Sequence, residues 1–244
     1  MPGATGVFVS CARGKERKAA LELMDMLNEH AAHIYPSTVT AAADEDDMDA
    51  LRNGPPPPSR AAPPSDDIES QVHAELAALR APSREHVVAL DTDTECLCFL
   101  ACPAPVDATR LVLRLLQHTE TTGEAYSRFV QRVTPVCVLC HADTDSIQHA
   151  APRALRAAFP RNRACTYRIE PRIRAHTSLT RDTLIPLIAA CVPSDEGHRV
   201  DLAHPDVIIV VEVLRNVCGI GALHDFERWG KWNVQTLAER HRAL

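Results

Sequence analysis

Tyr167-Arg-Ile-Glu-Pro-Arg-Ile-Arg-Ala-His176, followed by Val207-Ile-Ile-Val-Val-Glu-Val-Leu214 and Asn216-Val-Cys-Gly-Ile-Gly221, decides the fold of this chain. The first piece alternates arginine with apolar residues, and a strand sends alternate residues to opposite faces. The second is a nearly continuous β-branched run, the pattern of a strand covered on both sides. Between them Leu184–Cys191 reads as a packing helix with Leu187, Ile188 and Cys191 inward. Pro186 sets its start at Asp182 or Thr183, because proline is tolerated only in a first turn, and Pro193 stops it. A cationic strand, a helix and a buried strand pair make a small α/β module with one positive face.

Working outward, Asp143 or Asp145 caps a helix whose apolar side carries Ile147, Ala151, Leu155 and Phe159, with Pro152 limiting its regularity. Before it, Ser127–Pro135 runs into a strand-like Val136–Cys140. Val7–Cys11 reads as a strand. A helix from about Lys15 to Ala32 has Ala20, Leu23, Met24, Leu27 and Ala31 on one face. Ile68, Val72, Leu76 and Leu79 mark another helix, and Asp107–His118 a further one presenting Leu111, Leu115 and Leu116. Val87–Leu90 and Cys96–Leu100 are strands joined through Asp91–Thr94. Residues 36–67 break the pattern: Asp44-Glu-Asp-Asp47, Pro55–Pro58 and Pro63-Pro64 cannot bury enough apolar surface to offset chain ordering. They read as a disordered acidic, proline-rich insert. The expected organisation is an α+β domain over 1–140 interrupted by that insert, a second α/β unit over 141–224, and a short tail over 225–244 carrying Trp229, Lys231 and Trp232.

The totals fit two modest domains in 244 residues. Glu212 and Arg114 interrupt the best apolar runs, so none approaches the roughly 18–20 residues of a membrane helix. The amino terminus lacks a secretory pattern. A soluble, intracellular protein is expected, with its nine cysteines as thiols. The net charge of −6 argues against a nucleic-acid partner but conceals an asymmetry. From Pro152 to Arg181 eight arginines face one acid, Glu170, while Asp44–Asp49 holds five acids.

Several patterns invite chemistry and fall short of it. Cys137-Val-Leu-Cys140-His141 has the spacing of haem attachment or of half a zinc site, yet in a strand Cys137 and Cys140 lie on different sides of it. His73-Ala-Glu75 with Pro135-Val-Cys137-Val-Leu-Cys140 imitates a zinc nucleobase deaminase, but Val136 separates proline from cysteine. Gly219-Ile-Gly221 lacks the third glycine of a dinucleotide fingerprint. No phosphate-cradling Gly-rich loop and no Gly-x-Ser-x-Gly elbow is present.

The arginines remain. Among 26 basic residues only Lys15, Lys18 and Lys231 are lysine, and arginine's planar fork suits phosphate and base stacking. Arg161, Arg163, Arg168, Arg172, Arg174 and Arg181 lie close in sequence, with Arg172 and Arg174 projecting together. Arg13, Lys15, Arg17 and Lys18 crowd the start of the first helix, where free amides and cations suit a phosphate. Pairing with Glu170, Asp182 or Glu212, or plain solvation, accounts for such a run equally well. The residues alone leave both readings open.

Three stretches narrow this. Tyr167–Arg174, Ser178–Ala189 and Val200–Ile220 resemble the THUMP domain, and in particular the eukaryotic THUMP proteins that assist tRNA cytidine acetylation. Ser127–Pro135 and Arg13–Ala20 resemble that group's N-terminal ferredoxin-like half, and Lys231–Leu237 its tail. The resemblance implies an α/β (α+β) fold, a ferredoxin-like domain followed by a THUMP domain, gripping tRNA by its acceptor stem and 3′ end. It implies a non-catalytic adaptor that presents serine and leucine tRNAs to an RNA cytidine acetyltransferase for N(4)-acetylcytidine formation in the D-arm. The chain itself would need no cofactor or metal, acetyl-CoA and ATP belonging to the partner. No fused catalytic domain is expected after the module, and no membrane is involved. The nucleus and nucleolus, with the cytoplasm second, are the expected compartments. The residues expected to touch RNA are Arg13, Lys15, Arg17, Lys18, Arg128, Arg132, Arg161, Arg163, Arg168, Arg172, Arg174, Arg181 and Lys231. The alternative is an RNA-modifying zinc deaminase using Cys137 and Cys140. Trp232 departs from the smaller aromatic ring common in the group.

Overall fold

The run Val207–Leu214 is buried at every position because it lies between two layers of structure. The computed structural model describes residues 5–35, 86–125, 127–194 and 196–243. Its elements in chain order are β1 (Thr5–Cys11), α1 (Glu16–Ile34), β2 (Val88–Leu90), β3 (Leu97–Cys102), α2 (Ala108–Thr122), β4 (Val130–Val136) and β5 (Val138–His141). There follow α3 (Thr144–Arg156), β6 (Thr166–Arg174), α4 (Arg181–Ala189), β7 (Arg199–Val200), β8 (Val207–Leu214), β9 (Val217–His224) and α5 (Val234–Arg242). The insert 36–67 and the helix expected around Ile68–Leu79 lie outside the described residues.

The first sheet has the order β2-β3-β1-β4 with every neighbouring pair antiparallel. With α1 after β1 and α2 after β3, that is the ferredoxin-like βαββαβ arrangement. Both helices lie on one face, where Leu23, Leu27, Leu111 and Leu115 share a core with Val7, Val9, Leu100 and Val133. The ends of α2 are set locally. Asp107 accepts a hydrogen bond from the Arg110 amide, and Gly123 at φ 71° closes the helix in the left-handed region that glycine enters freely.

The second sheet has the order β5-β9-β8-β6-β7, with β6 parallel to β7 and β8 and the remaining pairs antiparallel. Ile147 and Leu155 of α3 and Leu184 and Ile188 of α4 pack with Val207, Ile209 and Val211. The alternate residues Ile208 and Val210 enter the first core instead. The two faces of β8 thus serve two cores, which is why eight consecutive apolar or buried positions were needed.

Contact between the layers depends on two glycines of β9. A Cβ at Gly221 would stand 2.3 Å from the Pro135 carbonyl oxygen of β4, and one at Gly219 would stand 2.7 Å from the Phe8 ring. The Gly219-Ile-Gly221 pattern is therefore a seat for β4. The Cys137 amide donates to the Ile220 carbonyl at 2.9 Å beside it. Both layers belong to one compact unit.

Three expectations need correction. Val136–Cys140 is not one strand: β4 ends at Val136, Cys137 is a bend, and β5 joins the other sheet. A continuous apolar run cannot reveal that the chain changes partners midway. Pro186 lies in the interior of α4, which begins at Arg181 behind a Thr180/Thr183 capping box. The carbonyl deprived of a donor is that of exposed Asp182, which water can serve, and the cap and the packing of Leu184 and Ile188 hold the short helix. Residues 225–243 are no loose tail. Phe226, Trp229, Trp232, Val234 and Leu237 are members of the first core, and Gln235 donates to the Ser127 and Val130 carbonyls.

Candidate nucleic-acid interface

Because β6 and β8 are parallel with Arg168 opposite Ile208 and Arg172 opposite Glu212, the even-numbered side chains of both strands share a face. On β8 that face is covered by the first layer. Strand β6 lies one position further out, and Arg168, Glu170, Arg172 and Arg174 are only half-buried there. Past Tyr167 its outer edge is not paired by β7, so the missing amide of Pro171 leaves no ladder gap there.

The arginine row divides. Arg168 Nη2 bonds Glu170 Oε1 at 2.5 Å and Nη1 bonds the Leu202 carbonyl at 2.8 Å. Arg172 Nη1 bonds Glu212 Oε1 at 2.7 Å and Thr134 Oγ1 at 3.3 Å, while Nη2 lies 3.5 Å from Glu170. The Glu212 side chain is 6% exposed, so its pairing with Arg172 is a buried one in which neither partner can be lost cheaply. Two arginines and two glutamates make this set electrically neutral. Arg174 carries no ion pair among the described residues.

Next to it comes Arg132 of β4. Its Nε donates to the Lys231 carbonyl at 3.0 Å, which leaves its Nη groups without a partner among the described residues. Burial, and then the charge of Arg172, pushes the Arg132 guanidinium below its ordinary range; Glu170 and Glu212 oppose the shift and Arg174 adds to it. Like charges are thus gathered at the seam between the layers. Lys231 sits in a tight turn in which Gly230, Lys231 and Trp232 have φ of 59°, 59° and 60°. Left-handed backbone is costly for non-glycine residues. Burial of Trp232, 1% exposed, and the Lys231 amide bond to Phe226 hold it.

The other sequence-selected cations are spread more widely. Lys15, Arg17, Lys18, Arg128, Arg161, Arg163 and Arg181 are exposed. Arg13 pairs with Glu95 at 2.9 Å, both well solvated, and Lys231 lies 3.7 Å from Glu227; pairs of this kind contribute little. At the start of α1, Glu16 accepts from the Cys96 and Gly14 amides. Those bonds, that from Cys96 foremost, hold its carboxyl below the usual range. A carboxylate therefore stands in the first turn of α1, among the cations that the sequence gathers there.

The metal and deaminase patterns come apart in space. Cys137 lies 3.8 Å from the Thr109 hydroxyl, whereas Cys140 faces Cys218 across β5 and β9. The hydrogen bond between the two thiols lowers Cys140 and raises Cys218, with burial adding to the rise of Cys218. Among the described residues no three His, Cys, Asp or Glu side chains gather as metal ligands; His73 and Glu75 lie outside them. No described helix is long and apolar enough to cross a membrane. Sequence reasoning missed Thr134 altogether, since a threonine in a strand carries no signal of what it will meet. It offered Glu212 only as one of several possible partners.

Residues 141–223, the segment that builds β6, α4, β8 and β9, match the THUMP domain. Over its whole length it is similar to THUMP domain-containing protein 1 of Bos taurus, 23% identical over 247 residues and spanning 66% of that protein. It is also similar to the tRNA acetyltransferase TAN1 of Saccharomyces cerevisiae, 24% identical, covering 98% of this chain and 86% of that one. The chain thus spans about two thirds of the length of the bovine relative. A crystal structure from Pyrococcus horikoshii superposes with a TM-score of 0.48 at 12% identity, over 90% of this chain and 54% of that one.

Proposed function

We propose that this protein is a tRNA-binding adaptor that presents its RNA to a separate RNA cytidine acetyltransferase for N(4)-acetylcytidine formation. The observation that carries the reading is the gathering of Arg132 and Arg174, neither in an ion pair among the described residues, at the seam of a chain whose residues 141–223 match the THUMP domain. Cations left without acids suit phosphate, and contacts to phosphate set register without reading sequence. Exposed Arg128, Arg161, Arg163, Arg181, Lys15, Arg17 and Lys18 extend the positive surface. The similarity to a protein named as a tRNA acetyltransferase supports tRNA and acetylation as the setting.

In this reading acetyl-CoA and ATP are handled by the partner. The buried thiols support that division: burial pushes Cys98 and Cys102 up to about 12 and Cys11 up to about 11, so none of the three is a ready nucleophile. Serine and leucine tRNAs, with the modified cytidine in the D-arm, are the proposed substrates, and the nucleus and nucleolus the proposed compartments. The test mixes purified chain, tRNA, acetyl-CoA and ATP with and without the acetyltransferase. N(4)-acetylcytidine should form only with the enzyme and rise strongly when the chain is added, on serine and leucine tRNAs over others. Product formed by the chain alone overturns the division of labour.

A further inference from the structure

Arg172 lies in the middle of the cationic row, but its guanidinium is turned to the interior of the protein. It bonds Glu212 of β8 in its own sheet and Thr134 of β4 in the other. Thr134 is 3% exposed and Glu212 5% exposed, so neither can touch an RNA. Thr134 stands two residues along β4 from Arg132, on the same side of the strand, and Arg172 stands two residues along β6 from Arg174. The bond between Thr134 and Arg172 therefore ties together the two strands that carry the unpaired arginines. Arg132 is fixed from its other side by the Lys231 carbonyl. Glu170 holds Arg172 and Arg168 in the same plane of contacts.

We propose that Arg172 is a positioning residue, a latch across the seam that brings Arg132 and Arg174 together as a single site for one phosphate of the bound RNA. The proposal rests on the reading of this face as an RNA interface and assigns its residues different duties. Arg174 and Arg132 meet the phosphate. Arg172, Glu212 and Thr134 set the distance between them. Two guanidinium groups held at fixed separation bind a phosphate better than two that drift, because the ordering is done before the ligand arrives. The buried glutamate also explains why the central cation of the row is neutralised: a third free charge at this point would add repulsion without reaching the ligand.

The test measures binding of a labelled tRNA transcript to the full chain across a salt series. Arg174→Ala should weaken binding and reduce the slope of log affinity against log salt by about 0.7–0.9, the loss of one phosphate contact. Thr134→Val keeps the shape of the buried side chain and removes the acceptor. It should weaken binding by about fivefold, the size of coupling usual within one hydrogen-bond network, and Glu212→Gln should do likewise. In an Arg174→Ala background both changes should cost almost nothing further, since the site they shape is already gone. Melting curves establish that each variant is folded at the assay temperature; Thr134→Val carries the test if Glu212→Gln does not fold. If Thr134→Val binds as tightly as the parent, or its effect simply adds to that of Arg174→Ala, the latch is wrong while the RNA interface stands. If the parent chain itself fails to hold tRNA at low salt, the interface and the latch fall together.

Discussion

Replacing Gly221 by alanine should force apart the two sheets where backbone meets backbone. The added methyl would stand 2.3 Å from the Pro135 oxygen, some 0.7 Å inside the 3.0 Å below which Cβ contacts essentially never occur. The obstacle is a main-chain carbonyl of β4, which is fixed by its pairing to β1 at Val7–Pro135, so no side chain can swing aside. Overpacking of this sort costs about 1–3 kcal/mol. Alanine returns about 0.4–1 kcal/mol by reducing the freedom of the unfolded chain, and the net is a loss of about 1–2 kcal/mol. For a chain of this size that lowers Tm by roughly 2–8 °C. Gly219→Ala is the internal comparison. Its nearest obstacle at 2.7 Å is the edge of the Phe8 ring, a side chain able to shift, and its loss should be smaller. Thermal and denaturant unfolding of the three proteins side by side is the assay. A Gly221→Ala protein as stable as the parent, or less affected than Gly219→Ala, would refute the close approach of β4 to β9.

The other expectations concern titrating groups. With burial holding Cys98 and Cys102 at about 12, alkylation of native protein at pH 8 should spare both, and mass spectrometry should find all nine cysteines modified only in denaturant. Burial, and then the neighbouring His118 charge, lowers the titration of His30. The unfolded chain therefore takes up a proton there before the folded one does, and stability falls as pH drops below about 6.5. His30→Gln should flatten that part of the urea-midpoint profile between pH 8 and 5, and an unchanged profile would contradict the assignment. The Asp143 carboxyl, capping α3 through the Ser146 amide, is lowered by that bond first. Its contribution is present above the ordinary aspartate range and lost as pH falls through it, so Asp143→Ala should weaken the acid limb of the same profile.

Most elements could be read directly because their signals are local. Asp143 caps α3 as its spacing suggests, Leu111, Leu115 and Leu116 face a core, and Arg172 and Arg174 do share a face of β6. Where reading failed, the deciding partner was distant in sequence. Cys137 marks a change of sheet that depends on β9, eighty residues on. Pro186 is tolerated in a short helix where Asp182, whose carbonyl it orphans, is an exposed residue. Trp229 and Trp232 looked like a tail because nothing nearby shows the first core that receives them.

The same division runs through the candidate site. The sequence by itself determined that the chain has two α/β layers, that β8 must be covered on both sides, and that arginine collects on one strand, since period-two alternation and β-branched runs are properties of short windows. It could not distinguish a cation that waits for a ligand from one already spent on the protein. That depends on which acid or hydroxyl stands within hydrogen-bond reach after folding. Only the tertiary structure set Glu212 and Thr134 against Arg172, and left Arg174 and Arg132 without an ion pair among the described residues.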